Sequence, residues 1–265
     1  MPTELGPHHS RIEGVRELRT PRGRRADPRF VAEGPTLLAE AQRSGVRPRE
    51  IYATAAALSG LDPGRWEADG IAVYLVPDRA FARLSDLETP SGLLAVFDLP
   101  DHDLAAILAR PGPVLLLAGV ADPGNAGTLV RSAEAFGAAG VLFGRGGADP
   151  FAPKVVRAAM GSTFRLPVAT VDPDEILAAA RAAGRPIVAA DVDGEPLDAV
   201  EIPANAVVAI GNERRGVRDW LPSWDRAVRI PQRSATESLN AAVAGSIVLY
   251  TVSLCQEACQ VAEKR

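Results

Sequence analysis

The stretch VLLLAGV at residues 114–120, followed at once by ADPGNAGTLVRSAEAFGA at residues 121–138, decides the fold of this chain. An apolar run with no polar alternation reads as a parallel strand covered on both faces, because a strand with one wet face alternates. The residues behind it read as a helix over 126–136, with Asp122-Pro123-Gly124 as a turn, Asn125 as an N-cap and Gly137 as a stop. Arg131 and Glu134 are then spaced for an i,i+3 ion pair. A strand that hands over to a helix through a polar loop is the repeating unit of an open α/β sheet, and such sheets bind ligands at the carboxyl ends of their strands.

Working outward, apolar runs predict further strands at 140–143, 164–169, 186–190, 206–210 and 227–230. Helical patterns fall at 153–160 and 173–183, with a long apolar helix near 236–258. Upstream, short apolar runs at 30–32, 50–54, 71–76 and 93–97 alternate with helical patterns at 35–44 and 78–84, a second α/β rhythm. Three prolines between residues 99 and 113 mark a joint. The 265 residues suit two domains at about 150 residues each. The expected division is a basic, flexible arm at 1–29, a small α/β domain at 30–105, a linker at 106–113 and a larger α/β domain at 114–265.

Apolar residues make up 47% of the chain and charged residues 23%, which excludes a disordered or collagen-like polymer. The longest apolar run, 241–255, is broken by Gly, Ser and Thr and is shorter than the roughly 20 residues of a bilayer span, so no membrane partner is expected. Residues 1–11 contain no apolar leader and the chain has two cysteines, which together predict a cytoplasmic protein without a disulfide framework. The net charge of −4 argues against a generally sticky nucleic-acid binder, and no DNA partner is expected. Charge is unevenly spread, however: ten arginines oppose six carboxylates through Arg49, leaving that part at +4 and the remainder at −8. The densest cluster is Arg16, Arg19, Arg22, Arg24, Arg25 and Arg29. It suits either a phosphate-tracking surface or a merely solvated arm.

Most familiar catalytic sets are missing. His8, His9 and His102 lie in the arm and the joint, which speaks against a histidine triad or a zinc site. Cys255 and Cys259, four apart on the last helix, read as packed thiols. Asp191-Val192-Asp193-Gly194 is a fragment of a calcium loop and reads as a turn. Gly144-Arg145-Gly146-Gly147 follows a strand but does not match the dinucleotide fingerprint. Three polar loops remain, each at the end of an apolar strand: 122–127, Gly211-Asn212-Glu213-Arg214-Arg215-Gly216, and the run IPQRSATESLN at 230–240. Ser234 and Glu237 have capping-box spacing, which leaves Ser238 and Asn240 unexplained at the start of an apolar helix.

Taken together, DPGNAGTLVRSAEAFGA, AIGNERRGV and VRIPQRSATESLNAAVA resemble the three motifs of the SpoU-type (TrmH-like) RNA 2′-O-ribose methyltransferases of the SPOUT superfamily. The blocks span about a fifth of the chain. The segment FVAEGPTLLAEA is similar to the opening of the small substrate-binding domain that many members carry. The resemblance implies an α/β SPOUT domain at 114–265 with a deep trefoil knot around the second and third motifs, and a homodimer. It also implies S-adenosylmethionine as methyl donor, held by backbone groups around Gly211, Ile230 and Leu239, with no metal. The implied reaction is transfer to a ribose 2′-hydroxyl of structured RNA, 23S ribosomal RNA first. A tRNA methyltransferase, or a non-catalytic RNA-binding or ribosome assembly factor of the same fold, is the alternative.

By motif position, Arg131 is the arginine associated with activating the hydroxyl, with Asn125, Glu213, Ser238 and Asn240 as its polar surroundings. A guanidinium, which offers donors and no acceptor, is better suited to stabilising charge than to acting as a literal base. Arg22, Arg24, Arg25, Arg214 and Arg215 are the expected RNA contacts.

Overall fold

The computed structural model describes residues 2–233 and 239–263, with side chains through residue 254. The chain forms two compact units, Met1–Pro100 with Phe151–Phe164, and Asp101–Pro150 with Arg165–Arg265.

The first unit runs β1 (Thr3–Glu4), α1 (Ser10–Glu17), α2 (Pro21–Ala26), β2 (Arg29–Glu33), α3 (Pro35–Arg43), β3 (Glu50–Ala53), α4 (Ala55–Leu58), α5 (Pro63–Ala68), β4 (Ala72–Leu75), α6 (Asp78–Leu84) and β5 (Leu93–Asp98). Its sheet has the order β1-β4-β3-β5-β2. The first three strands in that order are parallel, and β5 is antiparallel to both β3 and β2. The expected flexible arm is here part of the fold. Its arginines mask an apolar stripe, Ile12, Val15 and Leu18, which is buried against Tyr74, Phe81 and Leu84. His9 and Thr20 cap the two helices. Arg24 is only 4% exposed and donates to the Leu18 carbonyl at 2.7 Å, so it holds the α1–α2 corner instead of facing a phosphate.

In the second unit α7 (Leu104–Ala109) precedes β6 (Val114–Ala118), α8 (Pro123–Ala135) and β7 (Gly140–Gly144). The next helix, α9 (Pro153–Ala158), counts with the first unit. There Phe151 lies 5.0 Å from Phe30, and Phe164 lies 5.0 Å from Phe97, between ring centroids. The chain then resumes the second unit with β8 (Val168–Val171), α10 (Pro173–Ala182), β9 (Ile187–Pro196), β10 (Val207–Gly211), β11 (Arg226–Arg229) and α11 (Ala241–Glu263). All six strands are parallel in the order β11-β9-β10-β6-β7-β8. Strand order therefore reverses beside β6, which places a crevice outside its carboxyl end.

On one face Ile107 and Leu108 of α7 and Ile176 and Ala180 of α10 pack on Leu116, Leu142 and Ala209. On the alternate residues α8 and α11 lie together. A Cβ at Gly245 would come to 2.4 Å from the end of the Leu129 side chain, so a larger residue there would make Leu129 move. Arg185, buried among carbonyls, donates to those of Leu108, Arg110, Gly112 and Asn205. Burial pushes its pKa down.

Several boundaries differ from the sequence expectation. The joint falls at Pro100, because α7 contributes buried residues to the second unit and is no linker. The strand expected from residue 164 begins at Val168, after a 3₁₀ turn at Ser162–Phe164. The expected turn at 191–194 is extended within β9, where Arg218 engages Asp191 at 3.2 Å and Asp193 at 3.7 Å. Helix α11 begins at Ala241. The capping box Ser234/Glu237 and Ser238 lie outside the described residues, as do the side chains of Cys255 and Cys259 and part of the path that the expected knot would follow. Among the described residues no helix is long and apolar enough to cross a membrane, and no group of three or more His, Cys, Asp or Glu could hold a metal.

Candidate active site

The site is assembled from the segments at the carboxyl ends of β6, β10 and β11. At the end of β6, Asp122 and not Asn125 caps α8, accepting from the Asn125 N–H at 2.8 Å, with Pro123 at the first helical position. Proline there has no N–H to satisfy and its φ suits a helix start, so the cap moves one turn earlier than the sequence alone suggests. The Asn125 amide is released for other partners. Its Nδ2 donates to Glu213 Oε1 at 2.9 Å, and its Oδ1 accepts from Asn240 Nδ2 at 2.9 Å. The Asn240 Oδ1 in turn accepts from the N–H groups of Ala242 at 2.9 Å and Val243 at 3.2 Å, capping α11.

This chain of side chains has a fixed polarity. An ionised carboxylate only accepts and backbone N–H groups only donate, so the two amides between them each have one allowed orientation. Glu213, Asn125 and Asn240 thereby tie the three motif loops to one another through side chains alone.

The loop after β10 is closed by reciprocal backbone hydrogen bonds between Asn212 and Gly216, at 3.1 and 2.9 Å. Gly216 sits at φ +70°, and a Cβ at Gly211 would come to 2.1 Å from the Gly216 carbonyl carbon. Both positions therefore require glycine. Asn212, to which sequence reasoning gives no role, organises the loop. Its Oδ1 accepts from the N–H of Arg214 at 3.0 Å and of Arg215 at 3.3 Å, and its Nδ2 donates to the Gly119 carbonyl at 3.1 Å. The signal is present in the sequence, since an Asn whose side chain bonds the backbone two residues on is a common turn device. Trp220 packs on Gly119 and donates from Nε1 to the Arg145 carbonyl at 2.9 Å.

Arg131 lies six residues past Asn125 on α8, about 9 Å along the axis. The expected Arg131–Glu134 pair does not form. Glu134 is engaged by Arg165, with Nη2 to Oε2 at 3.0 Å. Arg131 is exposed and makes no hydrogen bond or ion pair among the described residues, leaving its donors available to a ligand. Ser132 and Ser246 lock α8 to α11, hydroxyl to hydroxyl, at 2.7 Å.

Gly211 ends β10, Ile230 follows β11 directly, and Leu239 immediately precedes the capping Asn240. Ile230 and Leu239 are half-buried. The half-buried Ile230 and Leu239 side chains offer the apolar cover that a flat adenosine ring needs, beside the buried end of β10 at Gly211.

Of the expected RNA-contacting arginines, Arg22, Arg25 and Arg214 are exposed, with no partner for their guanidinium groups among the described residues. Arg215 reaches Asp219 at 3.3 Å yet keeps 71% of its side-chain surface. Arg24 is excluded by its burial.

A family model described as the SpoU rRNA Methylase family matches residues 112–250, and one described as an MRM3-like substrate binding domain matches residues 9–95. The second match starts within the segment expected to be an arm. The chain is 32% identical over 247 residues to the 23S rRNA (guanosine(2553)-2′-O)-methyltransferase RlmP of Bacillus subtilis, covering 91% of this chain and 95% of that one. Among solved structures it is similar to the S-adenosylmethionine-bound rRNA methyltransferase of Sinorhizobium meliloti, with a TM-score of 0.83, 26% identity and coverage of 96% and 98% of the two chains. It is likewise similar to the SpoU methyltransferase AviRb of Streptomyces viridochromogenes in complex with the same cofactor, with a TM-score of 0.81, 28% identity and coverage of 94% and 98%. With its three motif loops joined by side chains and more than half of its length matched, the chain belongs to the SpoU rRNA methylase family.

Proposed function

We propose that this protein transfers a methyl group from S-adenosylmethionine to a ribose 2′-hydroxyl of structured RNA, with 23S ribosomal RNA as the substrate. The names of the relatives above support the substrate class. The observation that carries the chemistry is the Glu213–Asn125–Asn240 chain, which joins the three loops around one place at the carboxyl ends of the strands.

S-adenosylmethionine, when bound, supplies a methyl group already activated on a sulfonium. The backbone around Gly211, Ile230 and Leu239 holds its adenosine and methionine parts. The residues of this chain then have two tasks: to align the hydroxyl, and to stabilise the charge that grows on its oxygen. Asn125, Glu213 and Asn240 keep the loops in register, Ser238 is assigned to their polar surroundings by its motif position, and the unpaired Arg131 guanidinium faces the developing negative charge. A guanidinium offers donors and no acceptor, so the hydroxyl proton leaves to water or to an RNA phosphate. Arg22, Arg25, Arg214 and Arg215 contribute positive charge toward the RNA backbone.

The same reading includes a trefoil knot in the second unit, a cytoplasmic location and a homodimer. The dimer is supported by an apolar face on α11. Val243, Tyr250 and Leu254 are 48%, 51% and 47% exposed at helical spacing, and Phe136 adjoins Tyr250 at 5.6 Å between ring centroids. Mapping the product tests the reaction. Treated 23S RNA is expected to resist alkaline cleavage after one nucleotide; methylation appearing only on a base would overturn the ribose assignment.

A further inference from the structure

The first unit contains an open cleft of about 320 Å³ that belongs to none of the three motif loops. It is lined by Arg16, Arg19, Thr20, Asp86 and Pro153. One wall is the corner between α1 and α2, and another is the first residue of α9.

The charges around it are distributed in a particular way. Arg157 takes both oxygens of Asp86, with Nη2 to Oδ2 at 2.8 Å. Burial opposes ionisation of Asp86 most strongly, but the hydrogen bonds and charge of Arg157, with the charge of Arg19, hold its carboxyl below the usual carboxylate range. Glu13 is engaged by Arg83, which also donates to the Pro7 carbonyl at 3.2 Å, and is reached by Arg16 at 3.3 Å. Arg19 spends one donor on the Arg83 carbonyl at 3.2 Å and acts on Asp86 through its charge, without forming an ion pair at contact distance among the described residues. The Thr20 hydroxyl is used locally, accepting from the Gly23 N–H at 3.0 Å and donating to the Glu17 carbonyl at 2.9 Å.

Four guanidiniums thus meet two carboxylates, and both carboxylates are already committed. Facing the cleft is surplus positive charge on Arg16 and Arg19, with several N–H donors unspent. Each guanidinium presents a planar fork of N–H donors that matches the oxygens of a phosphodiester.

We propose that this cleft seats a backbone phosphate of the substrate RNA, with Arg16 and Arg19 as its ligands and the Asp86–Arg157 and Glu13–Arg83 pairs as the frame that aims them. The assignment rests on the reading of the protein as an RNA methyltransferase. It selects two arginines from the basic cluster on structural grounds and sets aside Arg24, which is buried, and Arg29, which is held by Asp27.

The test compares RNA binding over a salt series for the wild type, Arg16→Gln, the double variant Arg16→Gln/Arg19→Gln, and an equal-charge control, Arg47→Gln/Arg65→Gln, that changes exposed arginines not lining the cleft. The double variant is expected to lose about one to two units of the slope of log affinity against log salt, and Arg16→Gln about half of that. S-adenosylmethionine affinity is expected to stay unchanged in both, which guards against misfolding as the cause. The control should keep the wild-type slope. A wild-type slope in the double variant overturns the proposal, as does an equal loss in the control, which would make the effect one of net charge.

Inorganic phosphate, titrated alone, is expected not to saturate below about millimolar. Tight binding of free phosphate that depends on Arg16 and Arg19 would reassign the cleft and overturn the RNA source. Methyl transfer is read in the same samples. If the wild type methylates RNA but the double variant binds it normally, the cleft assignment fails and the enzyme reading stands. If RNA binds through the two arginines and no methyl is transferred, the cleft stands and the enzyme reading fails.

Discussion

Asn240 performs two tasks with one amide, and they separate chemically. Its carbonyl caps α11 and its NH₂ group orients Asn125. Asn240→Asp keeps an acceptor for the cap but has no donor for Asn125, so its thermal stability should stay near wild type while methyl transfer falls by an order of magnitude or more. Asn240→Ala should lose the transfer and also about 1 kcal/mol of stability, measured by denaturant unfolding. Equal activity in Asn240→Asp and the wild type would show that the linked side chains are not needed. Asp86 offers a pH test. Its folded carboxyl titrates below its ordinary value, so its contribution is present above that ordinary pKa of 3.8 and is lost as pH falls through the lower folded one. The melting-temperature gap between wild type and Asp86→Asn should therefore narrow from about pH 6 to about pH 3; a gap that widens on acidification would contradict the Arg157 pairing.

Among the elements, close packing of backbone sets the geometry. Gly211→Ala would force a Cβ into the Gly216 carbonyl carbon, so the loop after β10 must shift. A loss of about 1–3 kcal/mol is expected, together with weakened S-adenosylmethionine binding by calorimetry. Arg185→Met should cost at least as much, because it strips the shared donor from the carbonyls of Leu108, Arg110, Gly112 and Asn205.

The elements themselves are largely legible from the sequence. The unbroken run at β6 announces a strand covered on both faces, and the motif wording locates the three loops. Pattern does not resolve competition between neighbours. Asp122 and Asn125 are both good caps, and only the position of Pro123 decides between them. Glu134 has an arginine three residues before it in sequence, yet Arg165, distant in the chain, takes it. In residues 1–29 the charge obscures Ile12, Val15 and Leu18, whose burial requires partners 60 to 70 residues away. The chain also leaves its second unit for Phe151–Phe164, an excursion driven by phenylalanines packing on Phe30 and Phe97, and local periodicity carries no trace of that.

Over the molecule as a whole, the fold gathers Asn125, Glu213 and Asn240 at the carboxyl ends of a parallel sheet, carries Arg131 on α8 and leaves an apolar face on α11. Tyr250→Asp should shift the protein from dimer to monomer in analytical ultracentrifugation; an unchanged sedimentation coefficient would place any interface elsewhere. Ribose methylation by the assembled loops and Arg131 is tested by transfer of tritiated methyl from S-adenosylmethionine to ribosomal and transfer RNA from cells lacking this protein, comparing wild type with Arg131→Ala. Label is expected in 23S RNA from the wild type, resistant to alkaline cleavage at one position, and none from Arg131→Ala despite retained cofactor binding. Full labelling by Arg131→Ala, or no labelling of any RNA by a wild type that binds the cofactor, would contradict that assignment.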